Sequence, residues 1–222
     1  MLYEGPQVTD MDNVRALNET FLTLLRRSPH AQEHLWGLRE DLARRLVSLT
    51  PRQAERLAEA PFLLFSFRER DDRFWRTAFE QDPNQDLFSA SHEQQADVRR
   101  LIAAGLGFIW QLARQNPYVL RLLCGATVHW CEQISEHTLV RILDFATENP
   151  KLLVLRLAGR SELWRKLLYC GVHPLHEVRR AAHISVLQTV LTQVDRTSAV
   201  VWASAACRTQ APALKVAEKS DD

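Results

Sequence analysis

Two groups of side chains whose types can bind a metal ion lie close together in this sequence. His129 lies between Cys124 and Cys131, and His173 lies close to His176. Zinc prefers thiolate and imidazole ligands, but a structural zinc site usually takes two thiolates from one CxxC turn, and the four cysteines contain no such pair. The spacing of Cys124 and Cys131 places both on one apolar helix face. It therefore favours buried free thiols in a reducing compartment, and we expect no metal site.

Motifs that position a catalytic group or a phosphate are missing. The sequence contains no GxGxxG, GxxxxGK, HExxH or GxSxG, the patterns that build dinucleotide sites, phosphate loops, zinc proteases and serine hydrolases. We therefore expect no catalytic residue and no cofactor. A protein that binds other macromolecules is favoured over an enzyme, which is the second choice.

Basic side chains are concentrated in the second half of the chain. From Arg99 to Arg180 there are 12 basic and six acidic residues, whereas from Met11 to Ala90 there are 12 arginines and 13 acidic residues. A local excess of arginine can neutralise DNA phosphates, although a solvated helix face has the same composition. The candidate DNA-binding residues are Arg156, Arg160, Arg165, Lys166, Arg179 and Arg180.

These residues belong to the second of two similar segments. Shifting the chain by 88 positions aligns LLRRSPHAQEHLWGLREDLARRLVSLT with QLARQNPYVLRLLCGATVHWCEQISEHT. Beyond these stretches, one residue inserted in the second segment extends the match as far as Trp75 and Trp164. The aligned anchors are Pro29 with Pro117, Gly37 with Gly125, Thr50 with Thr138, Pro61 with Pro150, and Trp75 with Trp164. Identical anchors in one order predict an internal duplication.

Each copy is expected to be a multi-helix unit. An amphipathic helix (14–27 or 101–115) stops before a proline, which opens a second helix ending at Gly37 or Gly125. A third helix reaches Val47 or Ile134, and a fourth follows the capping residue Thr50 or Thr138. We expect a short strand in FLLFSF and in KLLVLRL, then a last helix carrying Trp75 or Trp164.

The fold class is therefore all-α, with two tandem, diverged copies and one short strand in each. The expected divisions are unit 1 (1–82), a linker with the start of the next helix (83–98), unit 2 (99–172), a C-terminal helical extension (173–209) and a disordered tail (210–222). Ser91 and Gln94 form a capping box in the linker. In the extension, Val178, Ala181, Ala182 and Leu187 are expected to face inward.

The apolar pattern also predicts the core. We expect burial of Leu24, Leu35, Leu46, Leu57, Leu64, Leu112, Leu123, Ile134, Phe145 and Leu153, and of the tryptophans Trp75, Trp110, Trp130 and Trp164. The N-terminal residues lack the basic and apolar regions of a secretion signal, and no apolar run is long enough to cross a bilayer. We therefore expect a soluble cytoplasmic protein without a membrane partner.

Four short stretches of the first unit are Leu35-Trp36-Gly37, Leu49-Thr50-Pro51, Leu57-Ala58-Glu59 and the segment 63–68, LLFSFR. In these stretches and their order, the first unit resembles the FlhD family of bacterial transcriptional activators. Unit 2 resembles the same pattern through Leu123-Cys124-Gly125-Ala126, which is also similar to the helical N-terminal part of the partner family, FlhC. The resemblance covers about 45 residues per unit and consists of apolar patterns.

The resemblance implies a transcriptional activator that binds DNA together with an FlhC-like subunit or by self-association. The family cysteine associated with a disulfide across the dimer corresponds to Phe65 here, so this position cannot form that crosslink. The zinc site of FlhC has no counterpart. Distant relatives control the transfer of conjugative elements, so flagella are not implied. A helical adaptor or secretion-associated protein that binds only protein remains the alternative.

Overall fold

The computed structural model describes residues 5–27, 35, 37–80 and 96–208, with side chains up to residue 192 except that of residue 80. Its helices are α1 (Val8–Arg27), α2 (Glu40–Val47), α3 (Pro51–Ala58), α4 (Asp72–Glu80), α5 (Ala96–Gln115), α6 (Pro117–Cys124), α7 (Val128–Glu136), α8 (Leu139–Glu148), α9 (Ser161–Tyr169) and α10 (His176–Arg208). The strands are β1 (Phe65–Ser66) and β2 (Val154–Leu155), and a single 3₁₀ turn, Pro150–Leu152, precedes β2. The predicted all-α class is confirmed, and the described residues contain one short strand in each half of the chain.

Local capping chemistry sets several of the helix ends. Thr50 accepts a hydrogen bond from the Gln53 N–H, and the Gln53 side chain accepts one from the Thr50 N–H, which completes a capping box at the start of α3. Asn116 and Thr138 cap α6 and α8 with their side-chain oxygens, which accept hydrogen bonds from the Val119 and Arg141 N–H groups. Gly125 ends α6 with a φ of 65°, a left-handed conformation that favours glycine.

The two strands join the halves of the chain. They pair antiparallel, with Phe65 opposite Leu155 and Ser66 opposite Val154. Two further backbone hydrogen bonds cross between the halves, from Leu63 N–H to the Leu123 carbonyl at 3.1 Å and from Arg156 N–H to the Leu64 carbonyl at 3.0 Å. We call this region, 63–71 with 153–160, the seam.

One continuous hydrophobic core includes residues from both halves. The rings of Trp75 on α4 and Trp130 on α7 lie 5.4 Å apart, centroid to centroid, with an edge-to-face geometry. Helix α1 packs on α3 and α5, α5 on α8, and α2 on α9. Helices of one half are therefore packed against helices of the other.

The element bounds in the two halves correspond closely. Helices α1 and α5 both have 20 residues, and α4 and α9 both have nine. Arg68 and Leu157, one in the turn after each strand, have φ values of 60° and 59°. The indole of Trp75 donates to the Phe67 carbonyl at 3.1 Å and that of Trp164 to the Arg156 carbonyl at 2.8 Å. These features are consistent with the duplication, but superposition of the two units stays a prediction.

Most of the predicted core positions are buried. All but one of the ten aliphatic and aromatic positions named above are buried, and Phe145 is only partly buried. Trp75, Trp130 and Trp164 are buried, whereas Trp110 is partly buried and its indole donates to the His137 carbonyl at 2.8 Å. The apolar periodicity therefore identified the inward faces of the helices in both halves.

The predicted inner face of α10 was partly wrong. Ala182 is buried and Leu187 packs on the core, but Val178 is 37% exposed and Ala181 is exposed. The buried positions among the described side chains of α10 are Arg179, Ala182, His183, Val186 and Val190. A buried histidine takes the place of an apolar residue on this face, so apolar periodicity alone gave the wrong phase.

Some predictions fall on residues that are not described. They are the helix that opens at Pro29, the Ser91 capping box, most of the linker and the tail from residue 210. The division of the chain into units stays a prediction. Both amphipathic first helices were predicted with their correct C-terminal ends, but they begin earlier, at Val8 and Ala96.

Candidate DNA-contact surface

Arg156, the first of the six candidate DNA-binding residues, lies inside the seam and not on the surface. Its side chain is 7% exposed, and its three guanidinium nitrogens donate to the Phe65 carbonyl, the Cys124 carbonyl and Glu69 Oε1. The other Glu69 oxygen accepts from the Ser66 hydroxyl. Because its donors are engaged by the protein, Arg156 connects the two halves and is not available to a phosphate.

Arg179 is also held within the protein. Its Nε donates to Glu59 Oε2 at 2.7 Å, and its Nη1 donates to the His173 carbonyl at 3.0 Å. The side chain is 10% exposed. Arg179 thus fastens the start of α10 to the end of α3, so the predicted set of six does not form one surface cluster.

The remaining four candidate residues reach the surface. Arg160 precedes α9 and is exposed, and Arg180 is exposed in the first half of α10. Arg165 is 42% exposed and pairs with Glu162 at 2.7 Å on the same helix face. Lys166 Nζ donates to Ser185 Oγ of α10 at 2.6 Å. The partners of Arg165 and Lys166 are solvated and weakly held, so a phosphate can replace them.

Helix α2 from the first half adds basic residues that the sequence did not indicate. It packs against α9, and the Arg45 guanidinium lies 5.9 Å from the centre of the Tyr169 ring. Tyr169 follows Arg165 by one helical turn, so the two side chains share a face. Exposed Arg44 lies next to Arg45 on α2.

We call Arg44, Arg45, Arg160, Arg165 and Lys166 the α2–α9 basic surface. Its carboxylates are Glu40, which pairs with Arg44 at 3.6 Å, and Glu162. Exposed Asp41 of α2 pairs with Arg39 at 2.7 Å. With Arg39 included, six cations lie near three carboxylates, which leaves an excess of positive charge, and arginine forks suit phosphate oxygens. The charge of the first half is balanced overall, and only packing between the halves brings α2 to α9, so the sequence carries no signal for the contribution of α2.

The three cysteines whose side chains are described are all free thiols. Cys124 ends α6 and Cys131 lies on α7, so they do not share one helix face as predicted. Both thiols are free and buried, and burial raises the pKa of Cys131 to about 12 and also raises the pKa of Cys124. Cys170 is exposed, and the side chain of Cys207 is not among those described.

Metal-ligand clusters and membrane spans can be assessed only for the described residues. Among them, no three His, Cys, Asp or Glu side chains come close enough together to hold a metal ion. No described helix combines the length and the apolar character needed to cross a bilayer.

Comparison with known proteins gives no relative onto which this surface can be mapped. No protein-family model, curated protein or solved structure matches the chain. The FlhD/FlhC resemblance therefore rests on the quoted residues alone.

Proposed function

We propose that this protein is a transcriptional regulator of the FlhD/FlhC type, an activator that binds DNA together with a partner subunit. The α2–α9 basic surface is the observation that carries the proposal. It collects arginines from both halves of the chain on two packed helices. In this proposal the protein acts in the cytoplasm without a cofactor, and it has no catalytic residue.

The surface supplies affinity for the DNA backbone. Arginine and lysine bound to phosphates release condensed counterions, which favours binding regardless of base sequence. Arg165 and Arg44 are held by exposed carboxylates, and exchanging such a partner for a phosphate costs little because exposed ion pairs contribute little free energy. In this proposal the FlhC-like subunit, or a second copy of this chain, recognises the base sequence.

The proposal predicts a specific change on removing two surface cations. In Arg160→Ala/Arg165→Ala, affinity for DNA should fall similarly for all sequences. The salt dependence should flatten by about 0.9 in log K against log salt for each phosphate that the variant no longer binds. Gel-shift and fluorescence titrations from low to moderate salt, with and without an FlhC-like partner, measure both quantities.

The matched control is Arg15→Ala/Arg100→Ala, which removes the same charge from other exposed helix faces. Arg15 pairs with Glu19 on α1, and Arg100 lies near Asp97 on α5. The control should retain the wild-type salt slope. Equal slopes for both folded double variants would contradict a DNA contact at the α2–α9 basic surface, and a lack of DNA binding with or without the partner would contradict the function.

The alternative is an adaptor that binds only protein, and a different part of the surface favours it. Apolar side chains are exposed in the first turns of three consecutive helices: Tyr118 of α6 is 57% exposed, Val128 of α7 48% and Val140 of α8 68%. A protein partner gains free energy by covering such residues. Affinity purification that recovers a stoichiometric protein partner, together with absence of DNA binding by that complex, would favour the adaptor.

A further inference from the structure

The seam contains a cavity that the DNA-binding proposal does not use. The turns that follow β1 and β2 lie side by side because the strands pair antiparallel. Together with Cys124 and Val190 they line a cavity of about 590 Å³ that is open to solvent on one side, a volume within the range typical of small-molecule sites. Its lining combines polar residues from the turn after β1 with apolar residues from β2 and the turn after it, Val154, Leu157 and Ala158 among them.

The charged groups of the lining are unbalanced. Three arginines, Arg68, Arg70 and Arg156, meet two carboxylates, Glu69 and Asp71. Arg156 pairs with Glu69 at 3.2 Å, and Arg68 pairs with Asp71. Among the described residues, this leaves Arg70 without a carboxylate partner. Its Nε donates to the Gly125 carbonyl at 3.2 Å.

Two of these guanidinium groups converge at the left-handed end of α6. An added Cβ at Gly125 would lie 3.3 Å from Arg156 Nη1 and 3.5 Å from Arg70 Nη2. Arg70 is exposed as a whole residue, but partial burial of its guanidinium, and next the charge of Arg156, lower its pKa, and the charge of Glu69 opposes this shift. Two cations held close together in a partly enclosed site repel each other, and a bound anion would offset that repulsion.

We propose that this cavity binds the oxyanion group of a small molecule, a phosphate or a carboxylate, through the Nη atoms of Arg70. The planar guanidinium fork matches two oxygens of either group. Leu157, Val154 and Val190 line the apolar part of the cavity and contact the rest of the molecule. Because the cavity walls come from both halves of the chain, the ligand stabilises the seam and makes the protein responsive to a metabolite.

Thermal unfolding tests the proposal directly. Inorganic phosphate, acetate and glycerol phosphate are titrated at constant ionic strength against chloride, and calorimetric titration checks the stoichiometry. At least one of the three should raise the Tm in a saturable way, by roughly 5 °C at a hundredfold excess over its Kd. The three probes distinguish free phosphate, a carboxylate and a phosphate ester. Equal, non-saturable behaviour in all three and in chloride overturns the proposal.

Two pairs of variants locate the site. Arg70→Gln should weaken binding at least tenfold, whereas Arg76→Gln, a change at an exposed arginine of α4 outside the cavity, should leave it unchanged. Undiminished binding by Arg70→Gln overturns the proposal. The second pair applies even if Arg70→Gln does not fold.

Gly159 lines the cavity, and an added Cβ there meets nothing within 4 Å, so a longer side chain is accommodated. The carboxylate of Gly159→Glu should compete with the ligand for Arg70 and raise the Kd at least tenfold above that of Gly159→Gln. Equal dissociation constants for the two variants contradict an anion site at Arg70.

Discussion

The ion pair of Glu69 and Arg156 lies in the protein interior, where removing a charge from water costs free energy. Both side chains are almost fully buried, and they join the turn after β1 to the end of β2 and the end of α6. Burying two ions costs several kcal/mol each, which their attraction and the added hydrogen bonds offset. The pair therefore contributes less to net stability than it would cost to leave either member alone.

Removing one charge of this pair should destabilise the protein strongly. Glu69→Gln keeps the shape but leaves the Arg156 cation uncompensated, so the free energy of unfolding should fall by about 3–5 kcal/mol. Urea denaturation measures this. The control Glu162→Gln removes the partner of exposed Arg165 and should cost less than about 1 kcal/mol. Similar losses for the two variants would show that the buried pair is compensated by solvent.

His183 on α10 is another buried polar group, and its protonation should lower the free energy of unfolding. The residue is 3% exposed, and burial lowers its pKa to about 4; Glu59 opposes this shift and Arg179 adds to it. Since the unfolded histidine has a pKa of about 6.5, the unfolded state binds the proton first as the pH falls. Stability is therefore fully present above about pH 6.5 and is lost towards pH 4.

Between pH 7.5 and 5, His183 alone should reduce the free energy of unfolding by about 2 kcal/mol. Urea denaturation at intervals across this range, compared between wild type and His183→Gln, isolates the contribution. The exposed His129 supplies the control, because His129→Gln should retain the wild-type dependence. An identical pH dependence in His183→Gln would mean that the pKa of His183 is the same in the folded and the unfolded protein.

At the scale of elements, two glycines of α5 illustrate how packing decides the effect of one methyl group. A Cβ at Gly105 would lie 2.5 Å from Phe67 Cζ, whereas one at Gly107 meets nothing within 4 Å. Phe67 is fully buried, with its ring 5.3 Å from that of Phe65, so it cannot move freely. The close approach of α5 to the seam therefore requires glycine only at position 105.

Substitutions at these two positions should differ in their effect on stability. Gly107→Ala should stabilise the protein by about 0.5–1 kcal/mol because alanine favours the helix. Gly105→Ala gains the same propensity but must displace the Phe67 ring, an overpacking cost of about 1–3 kcal/mol, so it should be neutral or destabilising. Chemical denaturation of both variants measures the difference, and a stabilised Gly105→Ala would show that the aromatic cluster of the seam can adjust.

Elements whose ends depend on local chemistry could be predicted from the sequence, and contacts between distant residues could not. Thr50 and Gly125 act on their own neighbours, so the helix ends were identified correctly. Burial of Arg156 depends on Glu69, 87 residues away. The internal alignment offered one signal, since it places buried Phe67 opposite Arg156.

A similar limit applies to Asn18 on α1. It is fully buried, its Nδ2 donates to the Phe62 carbonyl at 3.0 Å, and its Oδ1 accepts from the Leu64 N–H at 2.9 Å. Such an asparagine fixes α1 to the seam, but within the sequence it only interrupts an apolar face. Its partners become apparent once the chain has folded.

For the whole molecule, the seam and the core indicate that the halves depend on each other. The strand pair, the contact of Trp75 with Trp130 and the packing of α2 on α9 all cross between them. A half on its own would expose these surfaces to solvent and would lose the part of the core that the other half supplies. The arrangement resembles an isologous dimer contained in one chain, in which each half covers the face that the other presents.

Cutting the chain between the halves should therefore leave them associated. With a specific protease site inserted after residue 86, in the predicted linker, the cleaved fragments should co-elute in size-exclusion chromatography and unfold in one transition. Neither fragment expressed alone should give a cooperative transition.

Trp130→Ala removes the partner ring of Trp75 and leaves a large cavity in the shared core, at a cost of about 3–5 kcal/mol. In the cleaved form this destabilisation should favour dissociation of the fragments. The covalent link no longer keeps the two halves at a high effective concentration, so the contacts between them alone must hold them together. Fragments that separate without any substitution, and fold independently, would show that each half has its own sufficient core and that the contacts across the seam contribute little.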